Sequence, residues 1–204
     1  MPRPRKFVET DVIESASEAF ATNGYAGTTL DELLRVTGLG KQSLYNSFGG
    51  KHELFLRVLS ARTAEAIDAV TAALDNPDST PLERIRAQML KLAIALSSDK
   101  PHDLLVTKAT LELADRDADV ANAAMEVFKG QQKIYRQCIA DAQRSGELDP
   151  DADPTALAAF FVAVSRGMEV VGKAGVSRAK LTAIAVTSLQ ALPLTAAARA
   201  AERH

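Results

Sequence analysis

The chain has 204 residues, of which 47% are hydrophobic and 25% charged, and this balance excludes collagen-like, disordered and low-complexity classes. Its single cysteine, Cys138, excludes an internal disulfide framework and a zinc site of four thiolates. The net charge of −2 provides no general attraction to nucleic acid, so such a partner would need a local positive surface.

Composition also predicts the fold class and the compartment. Aromatic residues make up only 5% of the chain and tryptophan is absent, whereas alanine and leucine, which favour helices, are abundant. We therefore expect an all-α protein.

The longest uninterrupted apolar run, Ala156 to Val164, is shorter than the roughly 18 residues of a membrane span. No apolar run follows the charged N-terminus, so we expect no signal peptide, a cytoplasmic location and no membrane partner.

Three helices are predicted at the start of the chain. Apolar spacing and first-turn acids favour a first helix from about Glu9 to Asn23, ending at Asn23-Gly24. A capping box at Thr28 or Thr29 begins a short second helix. A third runs from Lys41 to Phe48 and ends at Gly49-Gly50. Two short helices separated by a glycine-containing turn indicate a helix-turn-helix.

The rest of the chain forms a larger helical body. Turn residues divide it, most clearly the linker Asp75 to Pro81 and the polar connection Asp149 to Pro154. The predicted helices run from Lys51 to Leu74, from Thr80 to Ser97, from His102 to Ala114, from the acidic cluster Asp115–Asp119 to Ser145-Gly146, and then through two apolar helices that are separated by a turn at Gly172 to Ser177.

Two stretches carry a specific motif. They read Gly24-Tyr-Ala-Gly-Thr-Thr-Leu-Asp-Glu-Leu and Gly38-Leu-Gly-Lys-Gln-Ser-Leu-Tyr-Asn-Ser-Phe-Gly-Gly-Lys-His-Glu-Leu-Phe55. From about Lys6 to Leu59 the chain resembles the TetR/AcrR family of bacterial transcriptional repressors, whose pattern is Gly-aromatic-x-x-Thr-Thr and then Gly-Val-Ser-Lys-x-x-Leu-Tyr-x-x-Phe-x-x-Lys-x-x-Leu. It departs from that pattern at Gly40, where serine is usual, and at Leu34, where a small residue is usual.

The resemblance implies a helix-turn-helix DNA-binding domain over residues 1–52 and a ligand-binding and dimerisation domain over residues 53–204. Polar side chains at the start of a helix in the major groove can reach base edges, and Lys41, Gln42 and Ser43 lie there, with Asn46 one turn later. In the family, residues matching Thr28, Tyr45 and Lys51 hold phosphates. Thr29 lies at a helix N-terminus, where phosphate also binds. The basic arm Arg3, Arg5 and Lys6 could follow the backbone or enter a minor groove.

An ordinary solvated face is the alternative interpretation of these polar residues. Residues 1–52 contain six lysines and arginines and six aspartates and glutamates, so their net charge is zero. We therefore expect few phosphate contacts and a gentle dependence of binding on salt.

The last two helices predict a homodimer. The resemblance implies that they form a four-helix bundle with a second subunit, so that the dimer reads a near-palindromic operator on double-stranded DNA. The alternative is that these helices are only core. The side chains assigned to the interface are Leu157, Phe160, Val164, Met168, Val171, Leu181, Ile184 and Ser188.

A small-molecule effector is implied almost entirely by the resemblance. The candidate lining residues combine apolar side chains with a few polar groups, which suggests a mostly apolar ligand, although methionine and aromatic residues at helical spacing are more often core. These candidates are Met89, Leu92, Leu105, Thr110, Met125, Phe128, Gln132, Tyr135 and Phe161.

Other chemistries have weaker support in the sequence. His52, His102 and His204 lack the spacing of metal ligands, and no nucleophile is paired with a base, so we expect no metal, no cofactor and no catalysis. Cys138 lies in a helix as a small buried hydrophobe, with redox sensing as the alternative.

The expected function is a ligand-responsive repressor. Its rival is a small-molecule carrier or helical enzyme that retains a non-functional helix-turn-helix.

Overall fold

The structure, a computed structural model, describes residues 8–98 and 104–201, and within these ranges its regular secondary structure is helical apart from one isolated antiparallel bridge between Leu148 and Leu194. The expected all-α class is confirmed. The helices are α1 (Glu9–Gly27), α2 (Leu30–Thr37), α3 (Lys41–Phe48), α4 (Lys51–Leu74), α5 (Pro81–Leu96), α6 (Leu105–Leu113), α7 (Ala118–Arg144), α8 (Pro154–Lys173), α9 (Arg178–Leu189) and α10 (Ala196–Ala201).

The described residues divide into two compact units. The first contains residues 8–65 and 104–126, and the second contains residues 66–98 and 127–201. The helix-turn-helix therefore shares its unit with α6 and the start of α7, two elements that sequence analysis assigned to the body. A functional boundary between residues 52 and 53 stays a prediction.

Helix α1 contains a break that its sequence predicted as a stop. Gly24 adopts φ 75° and ψ 176°, a conformation that glycine reaches without steric cost, and the helix resumes for one further turn to Gly27. The Thr28 hydroxyl donates to the Gly24 carbonyl over 2.7 Å. The break thus stays within one element, and α1 extends beyond the predicted end at Asn23.

Local signals set the ends of α2 and α3. The Thr29 hydroxyl accepts from the Glu32 amide over 3.1 Å, which caps α2, and Gly38 ends the helix at φ 68°. Gly40 leaves α3 without a side-chain cap, and Gly49 ends α3 at φ 85°. Because both closing glycines have positive φ, most other residues would be strained there.

The core of the first unit is built around aromatic side chains. Phe20 and Phe55 are fully buried, and their ring centroids lie 5.0 Å apart in an edge-on arrangement. The Tyr25 ring lies 4.8 Å from that of Phe55. At the rim, the Arg62 guanidinium donates to the Ser17 hydroxyl over 2.7 Å and pairs with Glu14 over 2.6 Å, which fastens α4 to α1.

The second unit has its own core, to which α4, α5, α7, α8 and α9 contribute. Helix α5 begins with the predicted capping box, in which Thr80 and Glu83 cap each other's amides. Tyr135 and Phe161 stack with ring centroids 5.9 Å apart. By length and composition α8 could cross a membrane, but Phe161 and Val162 on this helix are fully buried in the core of the unit.

Candidate nucleic-acid interface

Helix α3 has one apolar and one polar face. Leu44 and Phe48 are buried at 0% and 3% exposure and anchor the helix to the core of the first unit. All five residues that were predicted to contact DNA from this helix are exposed: Lys41, Gln42, Ser43, Tyr45 and Asn46. A short helix with a buried inner face and a polar outer face is the arrangement that a recognition helix needs to enter a major groove.

The side chains on this outer face are partly ordered by each other and by the turn that follows. Gln42 Nε2 donates to Asn46 Oδ1 over 2.9 Å, one helical turn away. Tyr45 is 46% exposed, and a Cβ atom on Gly50 would lie 3.5 Å from its ring. The phenol therefore lies beside the glycine turn that precedes α4.

The two threonines before α2 play different roles. Thr29 is exposed at the helix start, as a phosphate contact requires. Thr28 is 0% exposed, and its hydroxyl donates to the carbonyls of Gly24 and Ala19. This hydroxyl is turned into the protein and already bonded, so it is not exposed for the phosphate contact that was predicted for Thr28.

Lys51 lies next to an aromatic ring that sequence analysis did not assign. Its ammonium lies 4.4 Å from the centroid of Tyr25, a cation–π distance, and Lys51 remains half-exposed. The Tyr25 ring also meets that of His52 edge-on at 6.0 Å. The Gly-aromatic pair of the motif could have indicated Tyr25 as a support for Lys51.

Arg3, Arg5 and Lys6 lie outside the described residues, as do His102 and His204.

Residues 1–52 carry no net charge, and two of their acidic side chains are paired with arginines of α4. Glu9 pairs with Arg57 over 2.5 Å, and Glu14 pairs with Arg62 over 2.6 Å. Both arginines belong to α4, so these two of the four acidic side chains of α1 are paired with α4. No acidic residue occurs in α3 itself.

The residues assigned to dimerisation divide by burial. Phe160 and Ile184 are 40% and 37% exposed and are available to a partner. Met168, Leu181 and Ser188, which were also assigned to the interface, are buried within their own chain and offer little surface to a partner. Leu157, Val164 and Val171 are half-buried against the core. Val170 and Val186, which sequence analysis did not assign, are also exposed, since a broad apolar stripe does not show which of its edges faces the core.

The predicted effector residues fall into both units. Leu105, Thr110 and Met125 belong to the first unit, where Met125 is 49% exposed. The other six belong to the second unit: Met89, Leu92, Phe128, Gln132, Tyr135 and Phe161. Met89, Tyr135 and Phe161 are tightly buried core residues. That the nine line one cavity stays a prediction.

Two open cavities of about 550 Å³ each are described in the second unit. One lies between α5, α9 and the segment that follows α9, and the other between α4, α5 and α7. None of the nine residues predicted for the effector pocket lines either of them.

Taken together, the capped α2, the glycine turn and the polar face of α3 define a DNA-binding protein of the helix-turn-helix class. Residues 12–58 match the domain described as bacterial regulatory proteins, tetR family, and residues 81–192 match the tetracyclin repressor-like, C-terminal domain. The second match alone spans more than half of the chain. This protein belongs to the TetR family of bacterial transcriptional regulators.

Relatives and solved structures agree with this assignment. The chain is 27% identical over 192 residues to the HTH-type transcriptional repressor ComR of Escherichia coli (strain K12), covering 94% of this chain and 91% of ComR. It is similar to a cysteine mutant of the TetR family regulator CifR, solved with 26 bp double-strand operator DNA, with a TM-score of 0.81 and 27% identity over 94% of this chain and 100% of that one. Reduced E. coli NemR shares the fold, with a TM-score of 0.82 and 19% identity over 92% of this chain and 98% of that one.

Proposed function

We propose that this regulator is a repressor that binds a near-palindromic operator as a homodimer and is released by a small-molecule effector. The observation that carries the proposal is the outer face of α3, where five polar side chains are exposed on a helix held by buried Leu44 and Phe48. The CifR structure, with its operator DNA, supports the same use of the matching fold.

In the proposed complex the residues of α3 have distinct tasks. Gln42 and Asn46 can each pair with two atoms of an adenine edge, and Lys41 can donate to guanine or to phosphate. Tyr45, Thr29 and Lys51 would position the unit on phosphates without reading sequence. Exposed Phe160 and Ile184 would join the last two helices to those of the partner. Two α3 helices would then face successive major grooves, about 34 Å apart.

The proposed effector is mostly apolar and acts on the body helices. Support for an apolar site comes from the composition of the second unit, whose core contains few polar side chains such as Tyr135 and Ser165. With these roles the protein works in the cytoplasm and carries out no catalysis, and no observation favours the rival carrier or enzyme.

The decisive experiment is selection of genomic fragments by the purified full-length chain at low salt, followed by footprinting. We expect one or a few sites with two-fold symmetry. A reporter placed behind such a site should be expressed less when the protein is present. The matched control is a Gln42→Ala variant, which should select a degenerate set of fragments. Failure to enrich any fragment, or sites that lack symmetry, would refute the proposal.

A further inference from the structure

The break in α1 is held by two side chains of α6 that lie one helical turn apart. Glu112 Oε2 accepts from the Tyr25 amide over 3.0 Å, and its Oε1 accepts from the Ala26 amide over 2.8 Å. Lys108 Nζ donates to the carbonyls of Ala21 and Thr22 over 3.1 and 2.8 Å. Four hydrogen bonds to charged groups thus connect α6 to the two sides of one backbone break.

The signs of these charges match the backbone groups that they meet. A helix end leaves carbonyl groups without internal partners, and a helix start leaves amides without them. A positively charged side chain therefore stabilises the free carbonyl groups at a helix end, and a negatively charged one stabilises the free amides at a helix start. Lys108 faces the carbonyls before Gly24, and Glu112 faces the amides after it. Hydrogen bonds to ionised groups are about twice as strong as neutral ones, so this pair is suited to fixing a break.

Gly24 is needed for this arrangement in two ways. Its φ of 75° disfavours other residues, and a Cβ atom at this position would lie 2.7 Å from Glu112 Oε2 and 3.5 Å from Lys108 Cε. The glycine therefore allows both the turn and the close approach of α6. Sequence analysis identified Gly24 as a helix terminator and as a motif residue, but not as a contact of α6, which is distant in the chain.

The break leads directly to the DNA-binding helices. The Gly24 carbonyl accepts from the Thr28 hydroxyl over 2.7 Å, and the next residue, Thr29, caps α2. We propose that Lys108 and Glu112 are positioning residues for DNA recognition. They fix the orientation of α1, α2 and α3 relative to α6 in each subunit, and thereby set how strictly the dimer selects the spacing between operator half-sites. This inference rests on the proposed binding of a symmetric operator.

The physical reason is preorganisation. A helix-turn-helix that is held in one orientation binds the matching spacing without losing conformational freedom, and it meets a wrong spacing with strain. A loosened unit loses affinity for the correct spacing but adapts to the others. The measurable signature is therefore the ratio of the affinities for the correct and for the altered half-site spacing. A general loss of stability would lower both affinities together and leave this ratio unchanged.

The test uses the full-length chain, the selected operator, and the same operator with two base pairs inserted at its centre. We expect the wild type to prefer the correct spacing at least about tenfold, and Glu112→Ala and Lys108→Met to reduce that preference to about threefold or less. Glu126→Ala and Lys129→Met remove exposed charges of the same sign on α7 and should keep the wild-type ratio. Glu112→Gln keeps the shape of the side chain, so it provides the same comparison if Glu112→Ala folds poorly.

Amide hydrogen exchange provides a second readout. Exchange at Tyr25 and Ala26 should accelerate in Glu112→Ala, whereas the amides of α3 should stay protected. If the Lys108 and Glu112 variants bind the operator with the wild-type ratio of affinities for the two spacings, this inference is wrong and the proposed function stands. A wild-type chain that binds no operator would overturn it together with the proposed function.

Discussion

Gln42 and Asn46 are joined by a hydrogen bond on the outer face of α3, with Gln42 Nε2 donating to Asn46 Oδ1 over 2.9 Å. The bond orients both amides before any DNA arrives. It leaves Gln42 Oε1 and the Asn46 amide hydrogens available, so the pair presents acceptors and donors together, as an adenine edge requires.

The pair should therefore read bases as a unit. Gln42→Ala and Asn46→Ala should each cost about 1–3 kcal/mol of discrimination between the operator and its single-base variants. The double variant should lose less than the sum, since each single change also releases its partner. Affinities measured for a set of substituted operators give both quantities. Additive losses would show that the two side chains act independently.

Lys51 should contribute affinity without sequence preference. Its ammonium lies beside the Tyr25 ring, and we expect it to contact a phosphate of the DNA backbone. Lys51→Ala should weaken binding to all sequences by a similar factor and reduce the slope of log K for the dimer against log salt by about two, one for each subunit. Titrations of specific and random DNA between low and moderate salt measure this. A Lys51→Ala variant that changes the ranking of sites would contradict the role.

Much of the helix-turn-helix was predictable because its determinants are local. The Thr29 cap, Gly38, Gly49 and the alternation of Leu44 and Phe48 with polar residues all act within a few positions. Burial of Thr28 was not predictable, since neighbouring threonines carry the same signal and only the fold of α1 decides which one turns inward. The α6 contacts to the α1 break join residues more than eighty positions apart, and no local pattern indicates them.

The contact between His52 and Asp117 should make stability depend on pH at the acidic end. The His52 ring N–H donates to the carboxylate over 2.8 Å, and chiefly this bond, with the amides of Val120 and Asp119, lowers the pKa of Asp117 from its ordinary 3.8. Because the pKa of Asp117 is lower in the folded protein than in the unfolded chain, the ionised carboxylate stabilises the fold at pH values above the unfolded-state pKa. This contribution to the free energy of unfolding is lost as the pH falls through the folded-state pKa.

Asp117→Asn isolates that charge, since asparagine caps α7 about as well as aspartate does. We expect the variant to be less stable than the wild type by about 1 kcal/mol between pH 5 and 7, with the difference shrinking below about pH 4. Urea unfolding across this range measures it. The exposed Asp115→Asn serves as the control and should show a smaller difference. A difference that is constant with pH would exclude the charge as its cause.

The exposed faces of α8 and α9 should hold the dimer together. Phe160 and Ile184 are partly exposed, whereas Leu181 is buried in the chain's own core. Phe160→Glu and Ile184→Glu should shift the protein to monomer while helicity is retained, because a charge cannot be buried unpaired at an apolar interface. Leu181→Ala should instead reduce the free energy of unfolding by about 2–5 kcal/mol and leave the association intact. Sedimentation and thermal unfolding separate these outcomes.

Cys138 should be chemically inert in the folded protein, which would exclude redox control through this thiol. The side chain is 3% exposed, and its thiol donates to the Pro81 carbonyl over 3.4 Å. Burial raises the pKa of Cys138 to about 11, so the reactive thiolate is scarce at neutral pH.

We expect native protein to resist iodoacetamide and peroxide at pH 7.5, with modification detected by intact mass, and to react readily in guanidinium. Operator binding should survive peroxide equally in the wild type and in Cys138→Ala. A peroxide-induced loss of binding that a reductant reverses, and that Cys138→Ala abolishes, would show that the thiol opens to solvent and acts as a sensor.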